Sequence, residues 1–177
     1  MFEPANHLKG ERVFLRSPLP ADLEQIFAMS RRNQERLRPF LAWASKPVTL
    51  DSAQSLISSL PKLREERRAF HYLILFDGNA VGAISAHSID QPKRSCELGF
   101  WIEKDFEGKG IVSEAVTVFE RELFRVEFER IVLSASEHNF RSAAVARRLG
   151  FTFVARREKA RCDQERWVDL LVFEKRK

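Results

Sequence analysis

The sequence predicts a mixed α/β domain, one sheet with helices packed on its faces. Two patterns and one quantity point there. Short runs rich in Val, Ile, Leu and Phe have the composition and alternation of half-buried strands, and between them lie longer segments whose apolar residues recur every three or four positions, as on one helix face. The quantity is size. A chain of 177 residues, 44% hydrophobic and with 15 Phe, suffices for one core hiding ~70% of the surface its unfolded form exposes, so residues 1–177 read as a single domain.

The elements follow in the order β, α, α, β, β, β, α, β, α, β, β. Glu11 to Ser17 (ERVFLRS) is a first strand, stopped by Pro18 and Pro20. Asp22 to Arg32 sets Leu23, Ile26, Phe27 and Met29 at helical spacing. A polar stretch, Arg31 to Arg36, then leads into Leu37 to Trp43, a loop or short helix lined with aromatics. Thr49 is suited to cap a helix that runs through Leu56, Ile57 and Leu60 and past Pro61 into Lys62 to Arg68. Proline lacks the N–H a helix interior uses, so Pro61 is expected to kink or divide it.

Phe70 to Phe76 and Ala80 to Ser88 flank Asp77-Gly78-Asn79, where Gly and Asn tolerate the positive φ of a tight hairpin. A third run, Cys96 to Glu103, follows the loop at Gln91-Pro92-Lys93 and completes an antiparallel meander. Ile111 to Val126 gathers Val112, Val116, Phe119, Leu123 and Val126 on one helical face and sends Glu114, Glu120, Arg121, Glu122 and Arg125 mostly away from it. Arg130 to Ser136 is a strand, Asn139 caps a helix over Phe140 to Leu149, and Gly150 ends it. Phe151 to Arg157 and Arg166 to Glu174 form a closing hairpin.

Composition removes several classes of function. Charge interrupts every apolar stretch well short of the ~18 residues of a membrane span, and the start, MFEPANHLKG, has neither the basic head nor the apolar core of an export signal. A cytoplasmic protein is expected. Cys96 and Cys162 form no C-x-x-C pair and read as free thiols, while His7, His71, His87 and His138 lack metal-ligand spacing, so no metal is expected. The formal charge of +5 is concentrated: Lys and Arg number 19 against 20 Asp and Glu over residues 1–140, but 11 against 5 over residues 141–177. Such an end suits nucleic acid, an acidic protein or a phosphate-bearing small molecule. The interspersed Glu158, Asp163, Glu165, Asp169 and Glu174 and the strand-like alternation argue against nucleic acid.

The most informative stretch runs from Cys96 to Val112, where a strand passes into a short loop, Glu107-Gly108-Lys109-Gly110, that opens a long helix. Successive backbone N–H groups and the positive end of a helix dipole then converge on one place, which suits an anion. Two glycines let a pyrophosphate approach the backbone, and Lys109 adds charge. The loop has neither the Lys-Ser/Thr ending of a Walker A motif nor the length of G-x-G-x-x-G, and a tight solvated turn is the competing reading. Downstream, Asn139-Phe140-Arg141-Ser142 opens the second helix after the loop; Asn139 is a natural cap, and a Ser142 hydroxyl at that helix end is suited to protonate a thiolate formed nearby.

From Glu11 to Glu174 the chain resembles the GNAT superfamily of acyl-CoA-dependent N-acetyltransferases, and within it the RimJ/RimL-like branch that includes ribosomal-protein N-terminal acetyltransferases. Five ordered stretches carry the resemblance: Glu11 to Arg16, Asn33 through Leu37-Arg38-Pro39-Phe40-Leu41-Ala42-Trp43, Glu97 to Ile102, Glu107 to Ile111, and Asn139 to Ser142 with Leu149-Gly150-Phe151. The resemblance implies a mostly antiparallel sheet in which two neighbouring parallel strands, Cys96 to Glu103 and Arg130 to Ser136, splay apart around acetyl-CoA. It implies that Phe100, Trp101 and Ile102 hold the pantetheine and polarise the thioester carbonyl, that Glu107, Gly108, Lys109, Gly110, Ile111 and Val112 cradle the pyrophosphate, and that Asn139 contacts the cofactor. Phe40 and Trp43 match the branch's substrate-side aromatics, for which ordinary core packing is the competing reading. The family usually has Gln or Arg where Glu107 stands and often Gly or Ala where Val112 stands; an acid beside phosphate is unfavourable unless it points outward.

An amine attacks a thioester only when neutral, and the departing thiolate must gain a proton. An α-amino group, with pKa ~8, needs a weaker base than a lysine at ~10.4. Glu97, matching the family's carboxylate, is the candidate base, acting through water, and Ser142 the candidate proton donor; a surface strand carboxylate is the competing reading of Glu97. The expected acceptor is a protein or peptide N-terminus, of the ribosomal-protein type that the branch resemblance implies, with a small amine such as a polyamine, an amino-acid derivative or a toxin as the alternative. A CoA-binding regulatory module without turnover and a nucleic-acid-binding domain are the readings from other classes. Either a monomer or a homodimer through the final hairpin fits the sequence.

Overall fold

The computed structural model describes residues 3–163 and 166–177, without the side chains of Asp163 and Arg166, so the readings at Met1, Phe2 and Glu165 lie outside the described residues. Eight strands form one sheet: β1 (His7–Lys9), β2 (Val13–Arg16), β3 (Phe70–Phe76), β4 (Asn79–Asp90), β5 (Ser95–Ile102), β6 (Arg130–Ser136), β7 (Thr152–Asp163) and β8 (Arg166–Arg176). They lie in the order β1-β2-β3-β4-β5-β6-β8-β7. Every neighbouring pair is antiparallel except β5 and β6. Helices α1 (Leu23–Leu37), α2 (Leu50–Glu65), α3 (Ile111–Arg125) and α4 (Phe140–Arg148) complete the mixed α/β architecture.

Strand alternation divides the core in two. On one face Tyr72, Ile84 and Leu98 pack with Val116, Phe119 and Leu123 of α3, Tyr72 meeting Phe119 edge to face at 4.9 Å between ring centroids. The opposite face turns Leu73 and Ala80 against Ile26 and Met29 of α1 and Ile57 of α2. No described helix is long and apolar enough to cross a membrane.

Four local expectations need correction. The strand expected over Glu11 to Ser17 is β2, and a further strand, β1, precedes it, joined by a turn in which the Gly10 N–H donates to the Val13 carbonyl at 2.8 Å. Helix α1 continues five residues past Arg32, because the polar stretch hides an inward position and is followed by another: the buried Asn33 donates to the Met29 carbonyl at 2.9 Å, and Leu37 just after the stretch is buried. Pro61 does not divide α2, which runs unbroken from Leu50 to Glu65; buried Ala53, Ile57 and Leu60 anchor the turns that lead up to it. Glu122 lies inside, not away from the core: its carboxylate accepts the Ala5 N–H at 2.7 Å and pairs with Arg125, whose hydrogen bonds hold its pKa below the ordinary value.

The sheet opens at its one parallel pairing. Ser95, Cys96 and Glu97 register with Arg130, Ile131 and Val132, and there the ladder stops. Beyond it β5 stays with β4 as far as Ile102 opposite Gly82, while β6 stays with β8 as far as Ser136 opposite Leu170. Held by opposite neighbours, the two strands diverge as the resemblance implied, and the backbone groups of the outer half of β5 that face away from β4 are left without a strand partner.

Candidate functional site

A cavity of about 350 Å³ fills the divergence. Phe100, Trp101 and Ile102 form its β5 wall; Gly108, Gly110, Ile111 and Val112 its loop-to-helix side; Asn139 and Ser142 come from the start of α4, and Phe40 from the segment after α1. The loop conformation follows from its glycines. Gly108 and Gly110 have φ of +75° and +78°, a region L side chains rarely adopt, and Gly110 is the residue at which α3 begins. No side chain caps α3. The N–H groups of its first turn, in a stretch whose residues Ile111, Val112 and Ser113 all line the cavity, are therefore left to meet an anion.

Lys109 is placed differently from its neighbours. It is exposed, its ammonium lies 5.0 Å from the centre of the Phe106 ring, and its carbonyl accepts from Arg12. The cationic lining comes instead from Arg36 at the end of α1 and Arg141 and Arg148 on α4. Arg36 donates to the Ile102 carbonyl and Arg148 to the Ser113 hydroxyl at 3.2 Å. Glu107 does not point outward: it lies half-buried in the lining, and its two carboxylate oxygens pair with Arg36 and Arg141. Two guanidinium groups neutralise the acid beside the loop, which removes the electrostatic objection raised by the sequence.

Asn139 caps α4, its side-chain oxygen accepting the Ser142 N–H at 3.1 Å. The cap leaves the Ser142 hydroxyl free of any structural duty in the helix while fixing its backbone at the cavity wall. Two polar atoms of this region are buried with no hydrogen-bond partner among the described residues: Nε of the cleft residue Arg36, and the Ser134 hydroxyl on β6, two residues past the last β5–β6 pair.

A second cavity, about 580 Å³, lies on the α1/α2 side and shares Leu41, Phe100 and Trp101 with the first. Trp43 forms part of its wall, tilted 50° against Trp101 with ring centroids 5.5 Å apart. Three strands build its floor, where His71, Ser85 and Gly99 register across β3, β4 and β5. His87 also lines it and stands opposite Glu97 on β4. Glu97 is half-buried on the part of β5 still paired to β6, one step below the divergence. Cys96, on the core face, is inert: burial, reinforced by Glu97, pushes its thiol up to about 12.

Sequence reading missed Arg36, Arg148, Ser134, His71 and His87. Arg36 falls in the stretch taken as a polar connection, and the histidines become neighbours only through strand register. Desolvation, with a smaller contribution from His87, pushes His71 down to about 4. An unfolded chain binds a proton at His71 from pH ~6.5 downward while the folded chain does not, so this group leaves stability untouched above that pH and erodes it between ~6.5 and ~4. The melting temperature of the protein is therefore expected to fall over that window, and that of His71→Leu to fall less; parallel curves in a pH series of thermal melts would refute this.

The acetyltransferase (GNAT) domain family matches residues 12–152. YdaF of Bacillus subtilis (strain 168), provisionally named a ribosomal N-acetyltransferase, is 34% identical over 146 residues, covering 80% of this chain and 79% of that protein. A solved RimL, a ribosomal L7/L12 alpha-N-protein acetyltransferase in complex with coenzyme A, superposes with TM-score 0.92 at 20% identity, covering 96% of this chain and 97% of that one. The microcin C7 self-immunity acetyltransferase MccE in complex with acetyl-CoA and AMP gives TM-score 0.90 at 23% identity over 94% of this chain and 93% of that one. At these identities the two structures speak to the fold.

Proposed function

Because the chain belongs to the GNAT acetyltransferase family, we propose that it transfers an acetyl group from acetyl-CoA to a primary amine, the α-amino group of a protein or peptide N-terminus of the ribosomal-protein kind, with both substrates bound at once in the cytoplasm. One observation carries the reading: the uncapped start of α3, two left-handed glycines and three arginines meet at the mouth of the β5–β6 divergence. This donor set suits a diphosphate, and the outer part of β5, which has no strand partner on its β6 side, suits the amide groups of pantetheine. Acetyl-CoA supplies the activated acyl group.

The chain's own groups manage protons. A C–N bond forms as the C–S bond breaks; the amine nitrogen gives up a proton and the departing sulfur takes one. Glu97, through water or His87, is the proposed acceptor of the first, and Ser142 the donor of the second. Glu97→Gln is expected to lower kcat/KM most at acidic pH, where the amine is largely protonated; a pH–rate profile superimposable on the parent's would remove Glu97 as base.

The decisive test combines calorimetry of CoA binding with thiol release from acetyl-CoA and the gain of acetyl mass by a peptide N-terminus. CoA binding without thiol release toward any amine would replace the transferase with a CoA-responsive module. Glu107→Gln should release Arg36 and Arg141 toward the ligand, so CoA is expected to bind several-fold more tightly at low salt and with steeper salt dependence. Weaker binding in the calorimeter would mean that Glu107 is needed to hold both arginines in position.

A further inference from the structure

We infer that the acceptor amine is carried beside a bulky apolar side chain, as in a peptide beginning with Leu, Met or Phe, and that polycations such as polyamines are rejected. The inference rests on the transferase reading and concerns the second cavity, which adjoins the cleft at Leu41, Phe100 and Trp101, residues that line both.

The cavity's chemistry selects against positive charge. Among its described lining residues there is no Asp or Glu; Lys46 is the one permanently charged group, with His71, His87 and Tyr72 the other titratable ones, and burial raises the Tyr72 pKa so that its phenol stays neutral. Burial holds His71 unprotonated at neutral pH, so the floor neither attracts nor anchors a second ammonium. A spermidine or aminoglycoside placed here would bring several cations next to Lys46 with no carboxylate to pair them, and desolvating unpaired charge is costly. The walls are apolar instead: Ile26, Met29, Ile57 and Leu60 are buried core residues exposing a face to the cavity.

Shape points the same way. About 580 Å³ is within the range of preformed small-molecule sites and has room for more than the methyl or hydroxymethyl of Ala or Ser. Its mouth is marked by Trp43 and Leu56, 37% and 45% exposed, which allows the rest of a peptide to leave toward solvent. His71 and Ser85 on the floor are the polar groups available to orient the amine.

The test is a panel of peptides identical except for a first residue of Ala, Ser, Leu or Phe, together with spermidine, compared by kcat/KM. Leu- and Phe-initiated peptides are expected to exceed Ala and Ser by about tenfold or more, since each added methylene in an apolar pocket contributes on the order of a tenfold step. Spermidine should rank last. Leu56→Glu, at an exposed position where folding is readily checked by melting temperature, is expected to lower the Phe-initiated rate and raise that of spermidine. A preference for Ala, Ser or spermidine would overturn the inference and leave the transferase standing. Acetylation of none of them would overturn the transferase reading, and the cavity is then judged by quenching of Trp43 and Trp101 fluorescence: saturation by the Phe-initiated peptide but not by spermidine supports the inference, and no difference between them overturns it.

Discussion

Gly82→Ala is expected to cost about 3 kcal/mol of stability, the upper range for forcing atoms into a packed interior, and to lower the melting temperature by roughly 6 to 12 °C in a chain of this size. Gly82 sits on β4 opposite Ile102, and a Cβ there would come within 2.3 Å of the Trp101 carbonyl oxygen and 2.9 Å of the Ile102 Cα. Both neighbours are backbone, so no side chain can turn aside. Relief requires β5 to move away from β4, and Trp101 and Ile102 are the wall of the cleft. CoA affinity should therefore fall together with stability. A melting curve and a CoA titration unchanged from the parent would show that β4 and β5 do not press together there.

Ser142→Ala should have the opposite profile, with turnover lost and the fold kept. Removing a proton donor from the departing sulfur is expected to lower kcat by about 100-fold or more, at the lower end of what a positioned acid contributes. Structural cost should be small. The bond that caps α4 uses the Ser142 backbone N–H and the Asn139 side chain, and alanine retains the former while favouring the helix. Melting temperature and CoA affinity are thus expected to stay near those of the parent. An unchanged kcat, with chemistry shown to be rate-limiting, would take Ser142 out of the mechanism.

The elements of the fold were legible where one local signal sufficed. The Asp77-Gly78 turn, with φ of 49° and 77°, joins β3 and β4 as the sequence predicts, and β6 has the predicted bounds. Helix α3 was legible as a helix but not in full as an amphipathic one: Glu122 reads as a solvent-facing charge, and its burial depends on Arg125 and on the distant Ala5 N–H. Asn33 and Leu37 were hidden for a related reason, since Asn33 goes inside where the Met29 carbonyl, Arg36 and the Lys104 N–H give its amide partners. The charge surplus of residues 141–177 has a partial account in Arg141 and Arg148, which face the cleft.

The sequence by itself determined the order of strands and helices from β2 onward, the glycine loop before α3 and the family those features announce, because each depends on residues close together along the chain. Only the tertiary structure decided which charges face the cleft, that two arginines from separate helices neutralise Glu107, and that the second cavity is largely apolar and free of carboxylates among its described residues. Those properties arise where β5 leaves β6 and where β3, β4 and β5 align side by side. Residues as far apart as Arg36 and Arg141 become neighbours there by strand register and helix packing, which no local pattern encodes.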